Sequence, residues 1–391
     1  MKTILILSSS PYGDLKKQPR VLMEVDALKG NYNIMAAGAY GNEGKEAGYE
    51  FINTDYFQRY NNYYKKAWLF KKTFSLLIYI TSIFRKKLNT EERFIYKFKV
   101  LNKYNFDLVI VHQLNDLPFA VELAKRKNAK IIMNAHEYYP KELDDYPEWI
   151  KNIQPEYIKI CSEFFPKTDA IFAVGEIIAN EYKKEFGVES IVITNSKKYQ
   201  NLFPCPIGKK IRIIHHGGAI RSRGLEEMIN MMGILGESYT LDLILVPTED
   251  NQYLNDLKAL ASNNVNINFR PTVPTAKISE ELNNFDIGCY ILKPSNFNNL
   301  NALPNKFFEF IQGRLALAIG PSPEMAGIVK KYDLGVVAKD FTAQSMADEI
   351  RTLTPEKIMY YKNQCHENAY ELSSEKDEQL ILETVNKILT N

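Results

Sequence analysis

Cysteine is scarce and scattered. The 391 residues hold four, Cys161, Cys205, Cys289 and Cys365, and no two of them form a CxxC pair. That excludes a zinc ribbon or a dithiol motif and predicts reduced, buried thiols in an intracellular protein. Excess charge is missing too. A net charge of +2 argues against a general nucleic-acid binder. No HExxH, acidic cluster or other metal-ligand spacing is present, so no metal site is expected. There is no GxSxG elbow for a serine hydrolase, no Gly-Lys-Ser/Thr phosphate loop and no GxGxxG fingerprint. Long apolar runs are absent as well: the start, MKTILILSSSPYGD, has four consecutive apolar residues before Ser8. It is expected to be a strand and loop, not a secretion signal.

What is present is enough apolar material for two cores, 45% of the chain with 12% aromatic. The length suits two domains of about 150 residues or somewhat more. Strand Thr3–Leu7, a loop to Gly13 and a helix near Pro19–Lys29 open a parallel α/β sheet, because Val21, Leu22, Val25 and Leu28 keep helical spacing. A second strand is expected at Asn33–Ala37. Alternation continues with strands Asp107–His112, Lys130–Ala135, Ala170–Val174 and Ser190–Thr194, and Gly187 ends the helix Ile177–Phe186. Asn195–Lys210 is polar and holds two prolines and a glycine, so the domain boundary is placed there, at 198/199. A second strand–helix series starts with Ile211–His215 and runs through LDLILV, VNINF, DIGCYI, LALAI and GVVA. The tail from Ser345 reads as helical throughout. The expected organisation is residues 1–198, 199–372 and a last helix 373–391 turned back toward the first domain. Two doubly wound parallel sheets of this kind bind ligands beyond their strands' carboxyl ends.

Tyr56–Thr90 stands apart. It carries eight Lys or Arg and no acid, leaving −6 for the rest of the chain. Its apolar stretch of twelve residues, TFSLLIYITSIF, is short of the ~20 that span a bilayer. Two readings stay open: a basic amphipathic helix lying on an anionic membrane surface, or a core helix with solvated ends.

Three stretches carry chemistry. In HHGGAIRSRGLEEMI, Gly217 and Gly218 permit close backbone approach, and Arg221 and Arg223 stand at a helix entry, a combination suited to phosphate. The plainer alternative is a tight turn with solvated arginines. In NALPNKFFEFIQG, Lys306 and Glu309 are three apart on a helix that begins at Pro304. Glu309 can accept ribose hydroxyls and Lys306 can reach phosphate; otherwise they form a surface ion pair. Third, His136–Glu137 ends a strand of the first domain, where an imidazole can face the cleft. His112, His215 and His216 also end strands, so position alone does not single out one histidine.

Together these stretches resemble the retaining glycosyltransferases of the GT-B type, family four. LPNKFFEFIQGRLALAIG looks like the family's donor signature, whose helix Glu holds the nucleotide ribose. HHGGAIRSRGLEEMI looks like its phosphate loop, with Arg223 at the diphosphate. NAHEYYP looks like the stretch whose His lies near the donor sugar. The N-terminal loop through Arg20 is similar to the region that shapes the acceptor site. The resemblance implies a GT-B fold and donor contacts from Gly217, Gly218, Arg221, Arg223, Arg270, Val273, Asn301, Lys306 and Glu309. It implies acceptor-side residues Tyr12, Gly13, Arg20 and Glu137, and catalytic roles for His136, Arg223 and Lys306. Asn301 departs from the pattern, standing where many relatives carry a second Glu. Arg221 is also displaced from the usual basic position, nearer Ala219.

The implied activity is metal-independent, cofactor-free transfer, with retention, from a nucleotide sugar to a glycan or lipid-linked acceptor. A role in bacterial surface polysaccharide synthesis is expected, in the cytoplasm or at the inner face of the cell membrane. Two alternatives are a silent nucleotide-sugar-binding assembly module, which Asn301 would suit, and a GT-B sugar-nucleotide epimerase.

Overall fold

The computed structural model describes residues 1–8, 18–38, 44–46, 48–54, 90–248 and 251–390. Their strands form two sheets. The first takes β1 (Thr3–Ser8), β2 (Asn33–Gly38), β3 (Gly44–Glu46), β4 (Tyr49–Asn53), β5 (Leu108–Val111), β6 (Lys130–Ala135), β7 (Ala170–Ala173) and β8 (Ile191–Val192). Its order is β3-β4-β2-β1-β5-β6-β7-β8, parallel but for the β3–β4 pair. The second takes β9 (Ile211–Gly218), β10 (Tyr239–Val246), β11 (Ile267–Phe269), β12 (Ile287–Tyr290), β13 (Ala316–Ile319) and β14 (Gly335–Val337). Its order is β11-β10-β9-β12-β13-β14, parallel throughout.

Burial explains the strand sequences. Ile4 to Leu7 of β1 and Leu108 to Val111 of β5 are all fully buried. A parallel strand covered by helices on both faces has no polar side, so it reads as a continuous apolar run. The outcome is two doubly wound parallel α/β domains.

Several local expectations are corrected. β3 and β4 were not expected; both are short and lie at the sheet edge, where the apolar pattern is weak. β8 keeps only Ile191–Val192 of the expected Ser190–Thr194, because the chain there turns toward the second sheet. The tail, expected to be helical throughout, is three helices, Ala343–Arg351, Pro355–Asn368 and Ser374–Thr390, with short breaks between them. Thr354 caps the second by accepting from the Lys357 N–H, and Pro355 fixes its first turn. The basic stretch 56–90, apart from Thr90, lies outside the described residues, as do Tyr12 and Gly13. Among the described residues no helix is long and apolar enough to cross a membrane.

The chain crosses between sheets twice. It leaves the first sheet after β8 and returns in helix Ser374–Thr390, whose Ile381, Val385 and Leu389 join the core of Ile4, Ile6 and Val25. The two crossings are tied together. Ser374 N–H donates to Lys197 O at 2.9 Å, and Asp377 accepts from the Thr194 hydroxyl at 2.8 Å. The two domains also touch directly. Asn298 Oδ1 accepts the Tyr138 N–H at 2.8 Å, and the Glu324 carboxylate accepts the Ile177 N–H.

Candidate active site between the two sheets

A cleft of about 730 Å³ opens between the two domains, at the carboxyl ends of β9 and β6. Its wall on the second domain rests on one packing detail. β12 carries Gly288, and a Cβ there would stand 2.5 Å from the Phe310 ring. The missing side chain lets helix Asn305–Gln312 lie directly on the strand. Phe307, Phe308, Phe310 and Ile311 then bury completely or nearly so. Lys306 and Glu309, expected on an accessible turn, are themselves only 6% and 5% exposed, yet both line the cleft. Pro304 precedes the helix and no described side chain caps it. Pro304 and Asn305 also line the cleft, so the positive end of the helix dipole faces the cavity.

Lys306 is held from two sides. Its Nζ lies 3.1 Å from His215 Nε2 and 4.4 Å from the Tyr290 ring centre. His215 Nδ1 lies 2.9 Å from Cys289 O, an acceptor. The imidazole therefore donates from Nδ1 and accepts the ammonium proton at Nε2. Burial, with the cations Lys306 and Arg223 nearby, keeps His215 well below its ordinary pKa. Burial and Arg223 likewise push Lys306 well below the usual lysine range. Gly217, at φ +124°, passes so close that a Cβ there would be 3.0 Å from Lys306 Nζ. A side chain at this position would be strained and would crowd the ammonium. Arg223 completes the cationic group; its Nη1 stands 3.5 Å from Gly218 O.

Among the described residues, Glu309 is the one acid in the cleft lining. Its Oε1 is 3.3 Å from Lys197 Nζ. Its Oε2 is 3.4 Å from His216 Nε2, without the alignment of a hydrogen bond. Burial, then Lys306 and Lys197, lower the His216 pKa to about 3. The ring is neutral, and among the described residues Nε2 has no hydrogen-bond partner. Two other buried atoms in cleft residues also lack one, Arg20 Nη2 and Gln113 Oε1. Unpaired buried polar groups are costly in a protein interior. Three of them around one cavity mark a place built for a polar ligand.

The first domain contributes His136 and Arg20 to the cleft. His136 follows β6, and burial, with Arg20 nearby, holds it well below its ordinary pKa. Glu137, beside it, is exposed and does not line the cleft. Crowding by protein and by Glu142 raises its carboxyl to about 7, and Asn298 Nδ2 stands 3.4 Å from Oε2.

The structure thus brings His136, Arg20, Gly217, Arg223, Val273, Lys306 and Glu309 to one cavity. Besides Glu137, three predicted residues lie elsewhere. Arg221 turns out to Asp256, at 3.0 Å, and stacks on the Tyr253 ring. Arg270 pairs with Asp242 and Glu281, each at 3.5 Å. Asn301 is buried and donates from Nδ2 to Phe297 O at 2.9 Å, within its own short helix. Gly218 lies beside the cavity without lining it. The expected phosphate cradle at the helix after β9 is also corrected. Arg221–Arg223 form a 3-10 turn, Gly224 is left-handed at φ 59°, and the helix itself starts at Glu226. Its first turn holds Glu226 and Glu227, and Tyr253 Oη takes the Leu225 N–H at 3.0 Å. That end already has its acids and acceptor.

The sequence reading missed Lys197, which sits in the polar crossover and gave no periodic signal. It also missed Glu24. A carboxyl between Val21, Val25 and Leu28 falls on the apolar face of its helix, and that misfit was readable.

Residues 93–196 match the model of Glycosyltransferase Family 4. No curated protein sequence matches the chain. Among solved structures, sucrose-phosphate synthase from Thermosynechococcus elongatus aligns with a TM-score of 0.74 at 10% identity, covering 100% of both chains. HepE from Anabaena, in complex with UDP, aligns at 0.70 and 10% identity, over 99% of this chain and 100% of that one. A glycosyltransferase from Rickettsia africae aligns at 0.70 and 13%, over 100% and 99%. The chain has the GT-B glycosyltransferase fold, and its residues 93–196 are similar to Glycosyltransferase Family 4.

Proposed function

We propose that this protein transfers a glycosyl group, with retention, from a nucleotide sugar to a hydroxyl of a glycan or lipid-linked acceptor. One observation carries the reading. Lys306, Arg223 and Glu309 converge on one wall of the cleft, and His136 and Arg20 occupy the other. The cations suit a diphosphate and the carboxylate suits a ribose diol. HepE, one of the structural neighbours, has been crystallised with UDP and with UDP-glucose, which supports the same donor class here.

In this reading Glu309 accepts the ribose hydroxyls, releasing Lys197. The diphosphate lies toward Lys306 and Arg223. The bond from the anomeric carbon to the leaving phosphate oxygen breaks as the acceptor oxygen bonds to the same face of that carbon. The acceptor's proton passes to the departing diphosphate, so no protein nucleophile is required. Lys306, Arg223 and the dipole of helix Asn305–Gln312 stabilise the charge that grows on the leaving group. The proposed route is metal-independent and uses no cofactor. Among the described residues no group of three or more His, Cys, Asp or Glu side chains is arranged to hold a metal ion. A place in surface polysaccharide synthesis, in the cytoplasm beside the membrane, completes it.

The test is a thermal-shift screen of nucleotide sugars, followed by transfer assays with the donor that binds. Stabilisation by a nucleotide sugar and by the matching nucleoside diphosphate is expected. No stabilisation by any of them removes the reading. Asn301 favours a second one: with its side chain spent on Phe297 O, it makes no contact in the cleft. Donor binding without turnover on any acceptor would assign a silent binding module, and donor turnover without acceptor an epimerase.

A further inference from the structure

Behind His136 runs a chain of buried hydrogen bonds that the donor site does not use. Arg20 Nε donates to Asn134 Oδ1 at 2.7 Å. Asn134 Nδ2 donates to Glu24 Oε1. Glu24 Oε2 lies 2.8 Å from His112 Nε2, and His112 Nδ1 lies 2.8 Å from His136 Nε2. Arg20, Glu24, Asn134 and His112 are all buried, and Glu24 and Asn134 completely so. Helix Pro19–Leu28 supplies the first two, and the ends of β5 and β6 supply the rest. Of this chain, only His136 and Arg20 reach the cleft.

The direction of this chain is set by chemistry. A guanidinium can only donate, so Asn134 must turn its oxygen to Arg20 and its amide NH₂ to Glu24. Glu24 then accepts at both oxygens, and His112 donates to it from Nε2. Where imidazoles are neutral a histidine carries one ring proton, and the Glu24 carboxylate claims that of His112 at Nε2. Asp377, the other acid toward Arg20, takes its hydrogen bonds from Thr194 and Ser196. With one proton, on Nε2, His112 offers a lone pair at Nδ1. The His136 ring must therefore carry its proton on Nε2. Its Nδ1, which no described residue binds, is left bare.

We propose that Glu24 and His112 are positioning residues that lock His136 in the Nε2–H tautomer, so that Nδ1 stands in the cleft as an acceptor for a sugar hydroxyl. The hydroxyl belongs to the nucleotide sugar or acceptor of the reading above, on which this part rests. Tautomer locking itself does not depend on that reading. An imidazole free to exchange tautomers would present a donor part of the time and lose the hydroxyl's orientation.

The experiment is ¹⁵N NMR of the full chain labelled in histidine, at about pH 8 where imidazoles are neutral. The His136 ring is assigned by its loss in His136→Gln. The expected spectrum has a protonated Nε2 and an unprotonated Nδ1. Glu24→Gln should invert it. Asn134 still presents NH₂, so the introduced amide must turn its oxygen there and its own NH₂ to His112. His112 then donates from Nδ1, and His136 must hold its proton on Nδ1. Turnover should fall about tenfold, the worth of one hydrogen bond of ordinary strength, with KM for the donor changing less. A proton on His136 Nδ1 in the unmodified chain overturns the proposal. So does an unchanged tautomer in Glu24→Gln. Should that variant not fold, the spectrum of the unmodified chain decides alone. Neither reading of the ring requires turnover, so failure of the transferase proposal and failure of this one are separable.

Discussion

Replacing Lys306 by Met separates catalysis from folding at one atom. The ammonium is buried, donates to His215 Nε2 and lies over Tyr290. A unit charge about 4 Å from a growing phosphate charge is worth roughly 4 kcal/mol at an effective dielectric of about 20. At 1.36 kcal/mol per tenfold change in rate, that is about a thousandfold in kcat. Stability responds differently. Met removes a cation whose protonation burial opposes, which is favourable. It also strands the buried His215 Nε2, which costs about 1–3 kcal/mol. The two effects oppose, so Tm should move by only a few degrees. Methionine keeps most of the side-chain volume, and Phe307 and Phe308 keep their packing. The assays are initial rates with the donor found by screening, calorimetric affinity for its nucleoside diphosphate, and a thermal melt. A variant that melts like wild type and keeps turnover within tenfold would refute the assignment of the leaving group to Lys306.

Other outcomes follow from the same geometry. Glu309→Ala should weaken nucleotide-sugar affinity about tenfold or more, as expected for a lost charged hydrogen-bond acceptor; titration calorimetry showing equal affinity would move the ribose elsewhere. Gly175→Ala places a Cβ 2.5 Å from Glu324 Oε1, at the contact that joins the two domains. A stability loss of about 1–3 kcal/mol is expected in urea unfolding, and no loss would mean the contact yields freely. The rings of His136, His215 and His216 should stay neutral at about pH 5.5 in histidine NMR, below their ordinary 6.5. The sign is that of bases with depressed pKa. The unfolded chain binds their protons first, so their contribution is complete above about pH 6.5 and declines below it, by up to about 1.4 kcal/mol per pH unit for each ring. Glu137, raised to about 7, acts in the opposite direction over part of that range. Titration of all three rings near 6.5 would contradict the burial argument.

The amino-acid sequence alone determined the class of fold. Fully buried parallel strands are apolar on both faces, so β1, β5, β6, β9, β10, β12 and β13 stand out as runs, and helical spacing fills the gaps between them. It also marked the helix of Lys306 and Glu309, because Pro304, Gly313 and a run of phenylalanines bound and bury that helix. Charge and hydrogen-bond direction were beyond its reach, since both depend on what lies across a gap in the fold. Arg221 and Arg223 are chemically identical and two residues apart, yet a 3-10 turn sends one to Asp256 and leaves the other in the cleft. Lys197 reaches Glu309 only because two crossings between the domains are tied side by side. His112, His136 and Glu24 come from three separate elements, and their common line of hydrogen bonds exists only once the sheet sets β5 beside β6 under helix Pro19–Leu28. Periodicity records which side of an element is buried; it carries no record of which atom on another element will meet it.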